Sequence, residues 1–380
     1  MTSLGVLVAP DKFKGSLSAR DVTEELCTGI REAYPGLHCY GIPMADGGDG
    51  TVEAFVAAGW RRQTVDTVEA RGLSVAADVA WRESTAVVEL ANVCGIAMLN
   101  GALIPWEATT RGLGVAMRAL VRQGARHVIV GLGGSASTDG GCGLLSGLGY
   151  RVIDAQGRDV EPGLRGLALA HRVIPPDDLA ELEGTRWSVL TDVHAPLCGP
   201  LGAALQFGPQ KGLDQGEAVM ADEILARWSL AIKDATGVDV QEIPGAGAAG
   251  GAGAALAAFL DARLHPGAEY VAELCGVPLR LTSAAAVVTG EGRVDASSSH
   301  GKVPGVLAAM AACESLPAYV VAGAFGEGAP DDLRARGISL ELLAGSRDEA
   351  MRHPRPLLRE AGRLIGADLL AGSPGWSVRP

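Results

Sequence analysis

The 380-residue sequence predicts an α/β fold of two α/β domains: a Rossmann-like domain on a parallel sheet, with a second domain inserted in it. Three observations carry this expectation. Short apolar runs are followed repeatedly by glycine-rich loops and then by helical patterns, the signature of strand–loop–helix units. From about residue 63 to residue 90 the pattern changes to runs such as LSVAADVAW and TAVVEL, which read as strands of a different sheet. Composition is globular, with 48% hydrophobic and 20% charged residues, and 4% aromatics leave the core to Ala, Val and Leu.

Taken in order, GVLVAP reads as a buried strand. SLSARDVTEELCTGIREAY reads as the helix after it, with Ser18 and Asp21 at capping-box spacing and Leu26, Ile30 and Ala33 on one face. HCYGIPMADGGDGT reads as a second strand and loop, and a helix begins near Thr51. Parallel order returns with HVIVGLGGSASTDGGCGLLSGLG, WSVLTDVHAPLCG and AAAVVTGEGR. AYVVAGAFGEG and a helix around Leu357 to Leu370 complete the pattern. TGEGRVDASSSHGK, Thr289 to Lys302, is expected to be a loop leaving the strand AAAVV. The expected domains are residues 1–60 with 285–375, and the inserted residues 61–284, with parts of 110–150 open to assignment to the first.

Charge and composition narrow the function. A net charge of −12 and a pI near 5.1 make a nucleic-acid backbone a poor partner. Seven scattered cysteines without a C-x-x-C form neither a disulfide framework nor a zinc site and suit a reducing cytoplasm. The start, MTSLGVLVAP, has no basic region ahead of a long apolar segment, so no signal peptide is expected. The uncharged stretch Ile243 to Leu260 has the length of a membrane span, but five glycines and a proline make it a loop opening a buried helix. The expectation is a cytoplasmic monomer or homodimer acting on a small molecule, away from membranes and nucleic acid.

Lysine usage is more pointed. Only five lysines accompany 27 arginines, and Lys12, Lys14, Lys211 and Lys302 lie in Gly/Pro/Ser-rich segments. A compact ammonium suits phosphate or carboxylate, so two or more are expected to share a site.

Five segments carry candidate chemistry: APDKFKGS (9–16), MADGGDGT (44–51), GLGGSASTDGG (131–141), TDVHAPLCGP with FGPQKG (191–212), and Thr289 to Lys302. Each alone fits a turn or a helix cap. Together they put Lys12, Asp46, Asp192, Lys211, Glu291 and Lys302 at strand ends, where open parallel sheets bind ligands. Glycine-rich turns there offer backbone N–H groups to an anion. No Walker-type G-x-x-x-x-G-K-[ST] occurs. The G-x-G-x-x-G at Gly245 to Gly250 follows DVQEIP rather than an apolar strand, leaving a nicotinamide-dependent dehydrogenase as a distant alternative. The absence of H-x-x-H and H-E-x-x-H removes support for a histidine metal site.

In order, APDKFKGSLSA, PMADGGDGT, GLGGSASTDGG, FGPQKG, PGAGAAGGAGA and TGEGRVDASSSHGKVP resemble the type I glycerate kinase family over nearly the whole chain. The resemblance implies a kinase using ATP and Mg²⁺ to phosphorylate D-glycerate at its 2-hydroxyl, with two α/β domains and the site in the cleft between them. On this reading Asp192, Asp46 and Lys12 are the catalytic candidates. Lys14, Gly133, Gly134, Ser135, Lys211, Glu291, Gly292 and Lys302 are the phosphate or nucleotide candidates. Gly47, Gly48, Arg111, His194, Arg293, Asp295 and His300 are the acceptor candidates, and no metal ligand is assigned. Mg²⁺ is expected to be held indirectly, through phosphate and water.

Two segments depart from the family pattern. DVHAPL carries His194 and Ala195 where Asp-Val-(Asp/Thr)-Asn-Pro-Leu is common. TTRGLGV carries Arg111, Leu113 and Val115 where Thr-Thr-(Tyr/Phe)-Gly-Thr-Gly-Glu is common. These departures keep open a same-fold kinase of a larger polyol, cyclitol or modified sugar, and a binding module without turnover. His194 and Ala195 flank Asp192, which is therefore the preferred base, with Asp46 as its rival.

Overall fold

The computed structural model describes residues 5–299 and 301–372, and the class is mixed α/β, as the sequence predicts. The described chain forms two compact units. One takes in the residues up to Asp46, Glu53–Gly59 and the residues from Gly267 onward; the other takes in Gly47–Val52 and Trp60–Pro266.

In the first unit, five strands run parallel in the spatial order Gly337–Ser339, Ala318–Phe325, Ala284–Val294, Gly5–Val8, Cys39–Gly41. Gly5–Val8 is buried throughout, as expected of a parallel strand covered on both faces. The helix Ala19–Ala33 starts where its cap predicts: the Asp21 N–H donates to Ser18 Oγ at 3.1 Å. Its partner is the long helix Pro354–Ala371, and Arg359 reaches across to Glu25 at 2.8 Å. The chain moves outward from Gly5–Val8 to Cys39–Gly41, and every later strand is added on the other side. The strand order therefore reverses between Gly5–Val8 and Ala284–Val294, and such a reversal opens a crevice at the strands' carboxyl ends.

Two expectations change here. Thr289 to Val294 is not loop but the continuation of the strand Ala284–Val294. Its glycines explain the disguise, because a Cβ on Gly290 would sit 2.0 Å from the Val321 carbonyl oxygen. Glycine is what this close strand pair requires, although it lowers local strand propensity. Residues 267–284, expected in the inserted segment, belong to the first unit. The helix Gly267–Leu274 packs on Val303–Cys313, and Val277–Leu281 packs on the strand Ala284–Val294.

The second unit holds a six-stranded sheet in the order Arg263–Pro266, Arg186–Thr191, His127–Gly131, Thr85–Glu89, Ser74–Arg82, Arg61–Val68. The first four are parallel and the last two antiparallel, which is the change of character seen in the sequence after residue 60. Residues 110–150 lie wholly in this unit. The helix Arg111–Arg122 buries Leu113, Met117 and Leu120 completely. The alanine-rich segment Ala248–Leu260, whose residues Ala249, Gly250 and Gly251 are left-handed and interrupt its helix, is buried over most of its length, and no helix among the described residues is long and apolar enough to cross a membrane.

Candidate active site

In the first unit the backbone itself builds a charged cluster at the reversal of strand order. The Ala9 N–H donates to Val288 O at 2.7 Å and the Asp11 N–H to Gly290 O at 2.8 Å, so the chain stays beside Ala284–Val294 after its own strand ends. From the other side the Met44 N–H donates to Pro10 O at 2.9 Å, which brings Asp46 alongside. Asp11, Asp46 and Glu291 thus influence one another electrostatically.

Asp11 and Glu291 are 7% and 9% exposed. The Lys12 backbone N–H donates to Asp11 Oδ1 at 2.6 Å, and its ammonium lies 3.9 Å from the same oxygen. Burial raises the Asp11 pKa to about 7 against the pull of Lys12, and the carboxylates of Asp46 and Glu291 add to the rise. Burial also pushes the Glu291 carboxyl up; the Ser298 hydroxyl and the Lys302 ammonium, 3.8 Å away, oppose it. Asp295 is held below the usual carboxylate range, chiefly by the Ser297 hydroxyl at 2.6 Å, and Arg293 lies 3.8 Å from it.

Lys12 and Lys302 therefore flank one set of carboxylates. Lys14 is exposed, and a Cβ on Gly292 would lie 3.2 Å from its backbone nitrogen, so Gly292 gives the 13–14 turn its bed. His300 lies outside the described residues.

In the second unit, two glycine loops meet over the carboxyl ends of the parallel strands. The Gly133 N–H donates to Gly47 O at 3.2 Å, and a Cβ on Gly133 would sit 2.5 Å from Gly48 Cα. Those glycines let the loops touch, while Gly134 is exposed in the left-handed region with φ 75°. Buried Glu89 accepts from the N–H groups of Gly50 and Val52, placing a carboxylate at the amino end of the helix Thr51–Ala57.

Lys211 is 3% exposed, and its ammonium donates to Ser135 Oγ at 2.7 Å and Ser137 O at 2.6 Å. Burial lowers its pKa to about 8, with Asp139 opposing. The structure thus places Lys211 beneath the Ser135–Ser137 turn, as its support. Asp139 is fully buried and accepts from Thr109 Oγ1, from the N–H and hydroxyl of Thr110, and from the N–H groups of Gly141 and Gly143. Burial raises its pKa against those bonds. It pins Thr109 and Thr110 to the glycine-rich loop.

Asp192 follows the last residue of Arg186–Thr191 and is part-exposed, and His194 is exposed. Ala195 is buried, its carbonyl accepting from the Gly247 N–H at 3.0 Å. Arg111 is exposed at the start of its helix, whereas Leu113 is a core residue, so that departure reflects packing. The G-x-G-x-x-G follows a single turn of 3₁₀ helix, Val240–Glu242, and no strand. A Cβ on Gly250 would sit 2.2 Å from Ser137 O, so this glycine serves loop packing.

Asp11, Glu89 and Asp139 escape the sequence reading. The only signals are a carboxylate directly after a buried strand for Asp11 and one directly before two glycines for Asp139.

A model described as the glycerate kinase family matches residues 6–370. Glycerate 2-kinase of Escherichia coli (strain K12) is 35% identical over 378 residues, covering 97% of this chain and 98% of that protein. Glycerate kinase of Halalkalibacterium halodurans is 35% identical over 374 residues, covering 95% and 97%. A crystal structure from Salmonella typhimurium LT2, assigned to glycerate kinase 2, superposes with a TM-score of 0.81 at 34% identity, covering 97% and 99%. With a family match along almost its whole length and relatives of this identity across it, the chain belongs to the glycerate kinase family and is a kinase.

Proposed function

We propose that the protein transfers the γ-phosphoryl group of ATP, with Mg²⁺, to a hydroxyl of D-glycerate, giving 2-phosphoglycerate. The observation that carries this reading is the whole-chain similarity to a glycerate 2-kinase. Phosphoryl transfer asks a protein for positioning and for neutralisation of charge spreading over the transferred group. Lys12 and Lys302 supply that charge beside the carboxylates, with Lys14 nearby in sequence. The turn Gly133-Gly134-Ser135, supported by Lys211, offers N–H groups to phosphate, and Gly47 and Gly48 seat it. Asp192, His194, Arg111, Arg293, Asp295 and His300 are assigned to the acceptor side, with Asp46 in the carboxylate cluster.

Among the described residues no group of three His, Cys, Asp or Glu side chains is placed to hold a metal ion. Mg²⁺ dehydrates reluctantly and takes most of its ligands from water and nucleotide phosphates, so the reading has it held through those rather than by the chain directly. Bound there, it neutralises phosphate charge. The reading further takes the protein as a cytoplasmic monomer or homodimer, and its acidity supports an existence apart from nucleic acid.

Exposed Arg111 and His194, both departures from the family pattern, favour a larger polyol, cyclitol or modified sugar as the second reading. An ATP-consumption screen across hydroxy acids, polyols and cyclitols separates the two. Turnover highest on D-glycerate supports the first reading, turnover confined to a larger acceptor supports the second, and no turnover on any acceptor refutes both.

A further inference from the structure

We propose that Asp11 is the general base of the reaction, taking the proton of the acceptor hydroxyl as its oxygen attacks the γ-phosphorus; this rests on the kinase reading above. Four observations lead to it. First, Asp11 stands just past the carboxyl end of Gly5–Val8, beside Ala284–Val294, where the strand order of the first sheet reverses. That is where an open parallel sheet receives its ligand. Second, it is fixed there by its own backbone, through the bond from its N–H to Gly290 O at 2.8 Å.

Third, its two oxygens differ. Oδ1 accepts the Lys12 N–H, and among the described residues Oδ2 accepts no hydrogen bond from the chain. By contrast, Glu291 has Oε1 engaged by the Ser298 hydroxyl and Oε2 facing the Lys302 ammonium at 3.8 Å. Fourth, the second unit lacks the equivalent crevice among its parallel strands. Thr85–Glu89, His127–Gly131, Arg186–Thr191 and Arg263–Pro266 lie side by side in chain order, without a reversal, so Asp192 follows a strand that makes no switch point.

The charged groups that face Asp11 are Lys12, Asp46 and Glu291, with Lys302 and Asp295 beyond Glu291. Buried among them, Asp11 holds its proton up to about pH 7. A base with a pKa near the working pH both accepts a proton readily and is largely ionised to do so. In the step, the acceptor O–H bond breaks and its proton passes to Asp11 Oδ2. The freed oxygen pair forms the new O–P bond, and the bond from the γ-phosphorus to the bridging oxygen breaks with its electrons leaving on ADP. Asp11 then returns the proton to solvent.

The test compares wild type with Asp11→Asn, Asp46→Asn and Asp192→Asn, measuring kcat and KM across about pH 5.5 to 9 with ATP and the best acceptor. Wild-type kcat/KM is expected to fall on the acid side with the Asp11 pKa. Asp11→Asn should lose roughly 10²- to 10⁴-fold in kcat, abolish that acid limb, and keep the thermal shift produced by ATP. Asp11→Glu, which restores a carboxylate, should bring back the limb at a reduced rate. An Asp11→Asn enzyme within tenfold of wild type, or an acid limb that survives in it and vanishes in Asp46→Asn or Asp192→Asn, overturns the assignment alone. A wild-type protein that transfers phosphate from ATP to none of the acceptors overturns the kinase reading and this assignment with it.

Discussion

Replacing Asp11 by Asn should stabilise the protein while silencing it. Asp11 is 7% exposed, and its pKa rises from 3.8 to about 7. The sign follows from proton binding. Between these values the folded state holds a proton that the unfolded state has lost, so stability falls as pH rises through that window. Below pH 3.8 the group costs nothing, and above about 7 its full cost is present. A rise of about three units at about 1.36 kcal/mol each amounts to about 4 kcal/mol. Asn keeps an oxygen for the Lys12 N–H and removes the charge. Urea unfolding of Asp11→Asn should therefore show higher stability than wild type at pH 8, with an advantage about 1 kcal/mol larger than at pH 6. The pull of Lys12 is already contained in the pKa of about 7, so it takes nothing further from either value. Lower stability than wild type at pH 8, or an advantage indifferent to pH, would refute the reasoning. The pairing of greater stability with lost activity is what a strained functional group should show.

Three further expectations concern the second unit. Asp139→Asn turns an amide NH₂ toward N–H and hydroxyl donors, and should cost at least about 3 kcal/mol by urea unfolding; a cost under about 1 kcal/mol contradicts its role as a pin. Lys211→Met removes the support of Ser135 and Ser137, so amide exchange in residues 133–138 should quicken about tenfold or more, a change worth roughly 1.4 kcal/mol; unchanged exchange contradicts it. Gly250→Ala puts a Cβ 2.2 Å from Ser137 O on a backbone with φ 68°, and should cost about 2 kcal/mol or more; a neutral change means the loop yields freely.

What the sequence discloses and what it hides divide along physical lines. The helix Ala19–Ala33 is legible because its cap is a local event, a Ser18 side chain meeting an N–H three residues on. The parallel strands are legible because burial on both faces makes them continuously apolar. The run Gly290–Val294 is not, since glycines and charges there look like a turn, and only the pairing of Gly290 to Val294 with Val321 to Phe325 makes it a strand. Asp11 and Asp139 are hidden for the same reason. A carboxylate's pKa depends on what buries it, and the groups around Asp11 come from segments as distant in the chain as Asp46 and Glu291. The ordered loops point to the family, but which of their carboxylates is desolvated is settled by packing.

The most direct test of the central claim is phosphorus NMR of the product formed from D-glycerate and ATP·Mg²⁺. The account predicts loss of the γ-phosphate resonance and a new phosphomonoester signal split into a doublet by the single proton on C2. A triplet, from the two protons on C3, would contradict the assignment of the 2-hydroxyl. No phosphomonoester at all, with ATP intact, would contradict the proposed glycerate kinase activity itself.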